Sequence, residues 1–262
     1  MVLFFSLVIF LFGLIIGSFI NCLVYRLKNK ESLSGRSFCP HCKKQINWHD
    51  NIPLLSYFLL RAKCRWCRKK ISVQYPLVEL VTGILFLVVF LATIKQFSNL
   101  TIYQFILLGR NWLFAIFLII IFLYDLKYYL IPDKISLPAM VVALIFNIFL
   151  YNIFINYLLA ALIAGGFFFL QFIISKGKWI GGGDIRLGLL IGLMLGWPNI
   201  LVALIISYIL GSIIGLGLII AKRATMKSPV PLGTFLSIGA FVSLLWADKI
   251  IEWYLNINLY GF

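Results

Sequence analysis

The sequence predicts an all-α polytopic membrane protein. It has about eight transmembrane helices and a small zinc-ribbon-like module on the cytoplasmic side. Three observations predict this. The 262 residues are 63% hydrophobic and only 12% charged, with a mean hydropathy of +1.04, whereas a soluble chain is nearer half apolar. Runs of about 20 apolar residues, the length that crosses a bilayer as a helix, recur along most of the chain. Two Cys-x-x-Cys pairs fall in the one sizeable polar stretch.

The first span covers residues 2–25. No charged leader and no clear small-residue cleavage site accompany it, so it reads as a retained span rather than a removed signal. Gly13, Gly17 and Ser18 put small side chains near one another, which suits close helix packing. Residues 26–76 follow as a soluble module with twelve basic residues and two acids, Glu31 and Asp50. That excess reads as cytoplasmic. A segment of this size buries little core and calls for a metal or a membrane surface to stay folded.

Residues 77–262 form the remaining membrane core. Span two (77–94) carries Glu79 near its start, where an acid either binds a ligand or meets a basic partner. An outer loop from Lys95 to about 102 leads to span three (103–124). Residues 125–133 make a tight inner loop, in which Pro132 disfavours helix at Ile131 and suits the start of the next helix. Span four is 134–151, with Pro138 inside it. Asn152 to Asn156 turn outside, and span five is 157–174. The inner loop 175–183 ends in three glycines. A short span six (185–196), span seven (199–221) and span eight (232–250) complete the set, with a short outer tail. Both termini fall outside. Of the 23 basic residues, only Lys95, Arg110 and Lys249 are then external, the asymmetry that the positive-inside rule demands.

The same topology places two acids at one depth. Asp125 closes span three on its way inward and Asp184 opens span six on its way outward. Ionisable residues at such borders mark functional sites. As a carboxylate dyad, one member would take a proton from water while the other gives one to a carbonyl. Loop-end acids paired with Lys127, Lys134 or Lys178 are the plainer reading. An acid pair in an ion-coupled transporter, or a membrane scaffold docking through its metal module, are two more. Asp133 suits a helix cap or first-turn acid.

Cys39, Cys42, Cys64 and Cys67 have the spacing of a four-cysteine structural zinc site, each pair gripping one side of a tetrahedral ion. A redox pair is the rival, and His41 an alternative ligand. Cys22 reads as a buried small hydrophobe. The glycines at 181–183 lack the Gly-Lys-Ser/Thr that a phosphate loop needs, and no strand–Gly-rich–helix unit for a nucleotide cofactor is present. The net charge of +15 is read as membrane orientation rather than nucleic-acid binding.

Taken together, the stretches Gly17-Ser18-Phe19-Ile20-Asn21, Tyr25-Arg26, the two cysteine pairs, Asn51-Ile52-Pro53-Leu54-Leu55-Ser56, Tyr75-Pro76-Leu77-Val78-Glu79-Leu80, Asp125 through Ile131-Pro132-Asp133, Gly181-Gly182-Gly183-Asp184 and Pro231-Leu232-Gly233 closely resemble the bacterial prepilin peptidases. These are Gly-x-Gly-Asp intramembrane aspartic proteases of type IV pili and type II secretion, and the cysteine module marks their bifunctional form. The resemblance implies that Asp125 and Asp184 are the catalytic pair. It implies prepilins and pseudopilins as substrates, cut after a glycine. It also implies N-methylation of the new terminus, usually phenylalanine, from S-adenosylmethionine. It places the chain in the bacterial inner membrane. No cofactor motif is visible, so methylation rests wholly on the resemblance, with Glu79 and Gly17–Asn21 as possible contributors.

Overall fold

The structure is a computed structural model that describes residues 2–94, 101–150, 154–223, 225 and 228–260. Lys95, Asn152 and Lys227, which the sequence puts in loops, lie outside the described residues. Among the described residues, seven helices are long and apolar enough to cross a membrane. They are α1 (Val2–Asn29), α3 (Gln74–Thr93), α4 (Ile102–Tyr128), α5 (Asp133–Leu150), α6 (Phe154–Ser175), α8 (Asn199–Ile220) and α9 (Leu232–Tyr260). Two others are shorter, α2 (Leu55–Leu59) and α7 (Gly182–Leu195). The protein is a multi-pass membrane protein. Its chain divides into two compact units, Met1–Trp112 and Leu113–Phe262, the division falling within α4.

In the first unit α1 packs against α3, and glycine sets how closely. A methyl group on Gly17 would lie 2.7 Å from the Glu79 Cα, and one on Gly13 2.8 Å from the Gly83 Cα. Nothing larger than hydrogen fits at this crossing, the small-residue packing expected of membrane helices. Further along, the Phe86 and Trp112 rings stack at 5.5 Å and the Trp112 indole N–H donates to the Phe86 carbonyl.

Between α1 and α3 the chain folds as a small polar module. Arg26, 4% exposed, turns the segment back on itself by donating to the carbonyls of Leu33, Gly35 and Arg36 at 2.8–3.1 Å. Arg65 clamps Asp50 through two hydrogen bonds of 2.7 and 2.6 Å. The guanidinium holds that carboxyl below the usual carboxylate range.

The second unit surrounds α7. Its apolar residues Leu187 and Leu190 to Leu195 are all buried, as a helix apolar on every side must be. Gly188 and Gly192 admit α6 so closely that a side chain on Gly192 would collide with the Ala161 backbone. The buried Asn147 side chain of α5 donates to the Leu193 carbonyl at 2.7 Å, tying α5 to α7. Gly239 brings α9 onto Ser207 and Ala203 of α8 in the same manner.

Three sequence boundaries are corrected. α4 continues to Tyr128, so Asp125 lies inside its last turn and the inner loop shrinks to 129–132. Tyr129 ends the helix with φ 55°, its N–H still bonded to the Asp125 carbonyl, and Pro132 prevents resumption before Asp133. α7 begins at Gly182 with Gly181 as its cap, so Asp184 is its third residue rather than its predecessor. α9 runs on to Tyr260 in place of an outer tail, because residues 240–260 contain no glycine or proline to stop it.

Candidate active site

Asp125 and Asp184 both belong to the second unit. Asp125 is 5% exposed, a buried acid in an apolar bundle, and three donors converge on it. The Thr234 backbone N–H and hydroxyl both reach Oδ2, at 2.8 and 3.1 Å, and the Gly233 N–H joins them. All three come from the first turn of α9, where helical N–H groups have no partner of their own and favour negative charge. Gly233 makes this approach possible, since a Cβ there would lie 3.0 Å from Asp125 Oδ2.

Asp184 sits at the opposite kind of helix position. Its Oδ2 accepts the Gly181 N–H at 2.9 Å, folding back over the start of α7 as an N3 acid does in a capping box. The loop residue Ile131 packs against the starts of α7 and α9. It meets Gly183 on one side and Gly233 on the other, with side-chain atoms 3.1 and 3.2 Å from where their Cβ atoms would stand. The charge of Asp125 is felt at Asp184. Tyr208, hydrogen-bonded to Gln171, is a further electrostatic neighbour of Asp184.

Among the described residues, no lysine or arginine forms an ion pair with Asp125 or Asp184. The reading of these acids as partners of Lys127, Lys134 or Lys178 therefore loses its support. Asp133 is paired instead, with Arg186 of α7, and stands in the first turn of α5 as expected of a first-turn acid. That pair ties the starts of α5 and α7 together.

The first unit holds the cysteines. The thiols of Cys39, Cys42, Cys64 and Cys67 all lie within 4.8 Å of one another. Tetrahedral thiolates at 2.3 Å from zinc stand about 3.8 Å apart, and the Cys39 and Cys67 sulfurs are separated by 3.9 Å. The donor set fits a structural metal. Its two halves are the same turn repeated 25 residues apart: Cys39 N–H to the Lys44 carbonyl and Cys64 N–H to the Lys69 carbonyl, each at 2.9 Å, with Lys43 and Arg68 both at φ 57°. Burial pushes the Cys39 thiol up to about 11. Burial acts the same way on Cys64, but the N–H groups of Cys67 and Trp66 bring it down to about 7. A bound cation would hold all four as thiolates.

Sequence reasoning missed Thr234, Ile131 and the Asp133–Arg186 pair. The signal for Thr234 was its place directly after Pro231-Leu232-Gly233.

Residues 11–93 match the bacterial peptidase A24 N-terminal domain and residues 112–216 the type IV leader peptidase family. A protein of Aeromonas hydrophila named prepilin leader peptidase/N-methyltransferase is 32% identical over 97% of this chain and 94% of its own. The chain belongs to the prepilin leader peptidase/N-methyltransferase family. Relatives of the same name in Legionella pneumophila, at 31% identity over 97% of this chain and 95% of theirs, and in Bacillus subtilis, at 32% over 96% and 98%, extend the likeness across nearly the full length. No solved structure matches the chain. Membership of the leader peptidase family leaves the transporter and scaffold readings of the acid pair without support.

Proposed function

We propose that Asp125 and Asp184 are the catalytic dyad of this leader peptidase. The protein cleaves the leader peptide of type IV prepilins and N-methylates the amino terminus so exposed. The observation that carries the assignment of residues is the meeting of two acids without a cation. The charge of Asp125 reaches Asp184, and each acid is held by helix-start N–H groups rather than by a basic side chain.

Two such carboxyls share one proton. The ionised member takes a proton from water as it attacks the scissile carbonyl, and the protonated member gives its own to the carbonyl oxygen. A neutral tetrahedral diol results. Its collapse breaks the C–N bond, with a proton passing to the leaving amine. The Thr234 and Gly233 donors fix the Asp125 carboxyl for both steps.

The cut follows a glycine, between a basic leader and an apolar helix. The leader's charge stays on the cytoplasmic side of the bacterial inner membrane, where the basic residues of this chain gather. Type II secretion pseudopilins share that design and are substrates of the same site. The methyl donor is S-adenosylmethionine, and the four-cysteine cluster holds a structural zinc ion.

The test uses purified full-length protein with an intact prepilin, with and without S-adenosylmethionine, read by mass spectrometry. The wild type should lose the leader mass and gain one methyl. Asp125→Asn and Asp184→Asn should each abolish cleavage, yet still methylate a pilin supplied already cut. Full cleavage by either variant would end the dyad assignment.

A further inference from the structure

Three stretches of the first unit lie outside the aspartate site: Gly17–Asn21, Asn51–Ser56 and Tyr75–Leu80. They meet at one carboxylate. Glu79 of α3 is 8% exposed, and it accepts hydrogen bonds from the Ser18 side chain and, at 2.9 Å, from the Leu54 N–H. Leu54 reaches it from φ 61°, ψ −54°, while the Leu55 N–H closes onto the Pro53 carbonyl at 2.7 Å. This is a γ-turn of the rare, strained hand. Strain of this kind collects at ligand sites, held in place by its surroundings. Close by, the Asn21 side chain donates to the Tyr75 carbonyl at 3.1 Å and fixes α1 against the start of α3.

A cavity of about 160 Å³ is lined by Glu79 together with Ser18, Cys22, Asn51 and Trp66. The other charges in its lining are engaged. Asp50 is clamped by Arg65, Arg26 is turned to three carbonyls, and Lys44 lies 4.7 Å over the Trp66 ring. Among the described residues Glu79 is the one charged side chain of the lining with neither an ion pair nor a ring contact. A carboxylate buried without a counter-charge is costly, and an acid kept within a membrane span marks a functional site.

We propose that this cavity binds an α-ammonium group, with Glu79 as its counter-charge, and that it is the seat of methyl transfer. The proposal rests on the reading that the chain methylates the cut pilin. Two α-ammonium groups take part in that reaction, the pilin's new amino terminus and the methionine end of S-adenosylmethionine. In the transfer the pilin ammonium first gives up a proton to solvent. The freed nitrogen lone pair attacks the sulfonium methyl, the N–C bond forms, and the C–S bonding pair returns to sulfur as a neutral thioether. The product is a secondary ammonium, so charge and atoms balance.

The test uses full-length wild type and Glu79→Gln with a pre-cut pilin peptide beginning in phenylalanine and S-adenosylmethionine, each KM being measured separately. Prepilin cleavage and bound zinc on the same preparations report folding. Glu79→Gln should raise one KM at least about tenfold, the loss expected of a hydrogen bond between charged groups. A rise for the peptide assigns the pilin terminus to the cavity, and a rise for the donor assigns its methionine end. Methyl transfer with both KM values and kcat unchanged overturns the proposal. Should Glu79→Gln fail to fold, Ser18→Ala decides: it keeps the charge, and a rise in one KM supports the site while no change in either overturns it. A wild type that cleaves but transfers no methyl would remove the methylation reading itself, a different result from either.

Discussion

Thr234 gives Asp125 both a backbone and a side-chain donor, and the two can be separated. Thr234→Ala removes the hydroxyl and leaves the N–H. The leader-cleavage rate should fall about tenfold, since a hydrogen bond to a charged group contributes about 1.5–3 kcal/mol, and Thr234→Ser should restore it. A rate unchanged in Thr234→Ala would reduce the hydroxyl to packing. The measurement is single-turnover cleavage of one prepilin, with methyl transfer to cut pilin as the control for folding. The aspartates themselves were legible because acids are rare here, 8 in 262 residues, and stand out at the borders of apolar runs. Their holders were not. Thr234 lies 109 positions from Asp125, and no local pattern announces a contact of that range. Glu79 was visible as an anomaly only, because Ser18 and Leu54 reach it from two separate stretches.

The cysteine module was the most legible element, since tetrahedral ligation dictates spacing within each pair. Its internal repeat is visible in the sequence as Cys-x-x-Cys-Lys/Arg-Lys-x-Ile at 39–46 and again at 64–71, and the structure adds the matching backbone. The equivalence of the two turns lies in backbone hydrogen bonds and in the φ of Lys43 and Arg68, residues that share only charge. With little core of its own, the module would depend on the proposed zinc ion for its fold. Cys39→Ser and Cys64→Ser should therefore lower bound zinc and protein level together, measured by metal analysis and membrane abundance. Zinc far from about one per chain in the wild type would refute the site. The long helices were read from apolar length, and their ends were misplaced for a physical reason. Hydropathy reports where the lipid stops, whereas the backbone stops where hydrogen bonding or sterics require it. α4 carries Asp125 in its last turn, and α9 continues through Asp248, Lys249 and Glu252 with its ladder intact.

At the scale of the whole molecule, orientation is the quantity to measure. By the positive-inside rule Ser34 of the module is expected inside and Asn156 outside. Single cysteines at these positions should react with a membrane-impermeant maleimide from opposite faces of oriented vesicles. Labelling of Ser34→Cys from the outer face would invert the arrangement. Eight crossings were expected from the sequence, and among the described residues seven helices are long and apolar enough to cross. The eighth expected span is α7, whose apolar residues are screened by its neighbours and whose length is only 14 residues. At 1.5 Å per residue it reaches about 21 Å, against a hydrocarbon layer of about 30 Å. As a crossing, α7 would leave about 9 Å to be met by thinned lipid or by a hydrated indentation. Asp184 stands at the third residue of this helix, so the shortfall falls to the peptidase's benefit. Hydrolysis consumes a water molecule at every turnover, and a helix too short for its membrane would let the aqueous phase approach the proposed dyad.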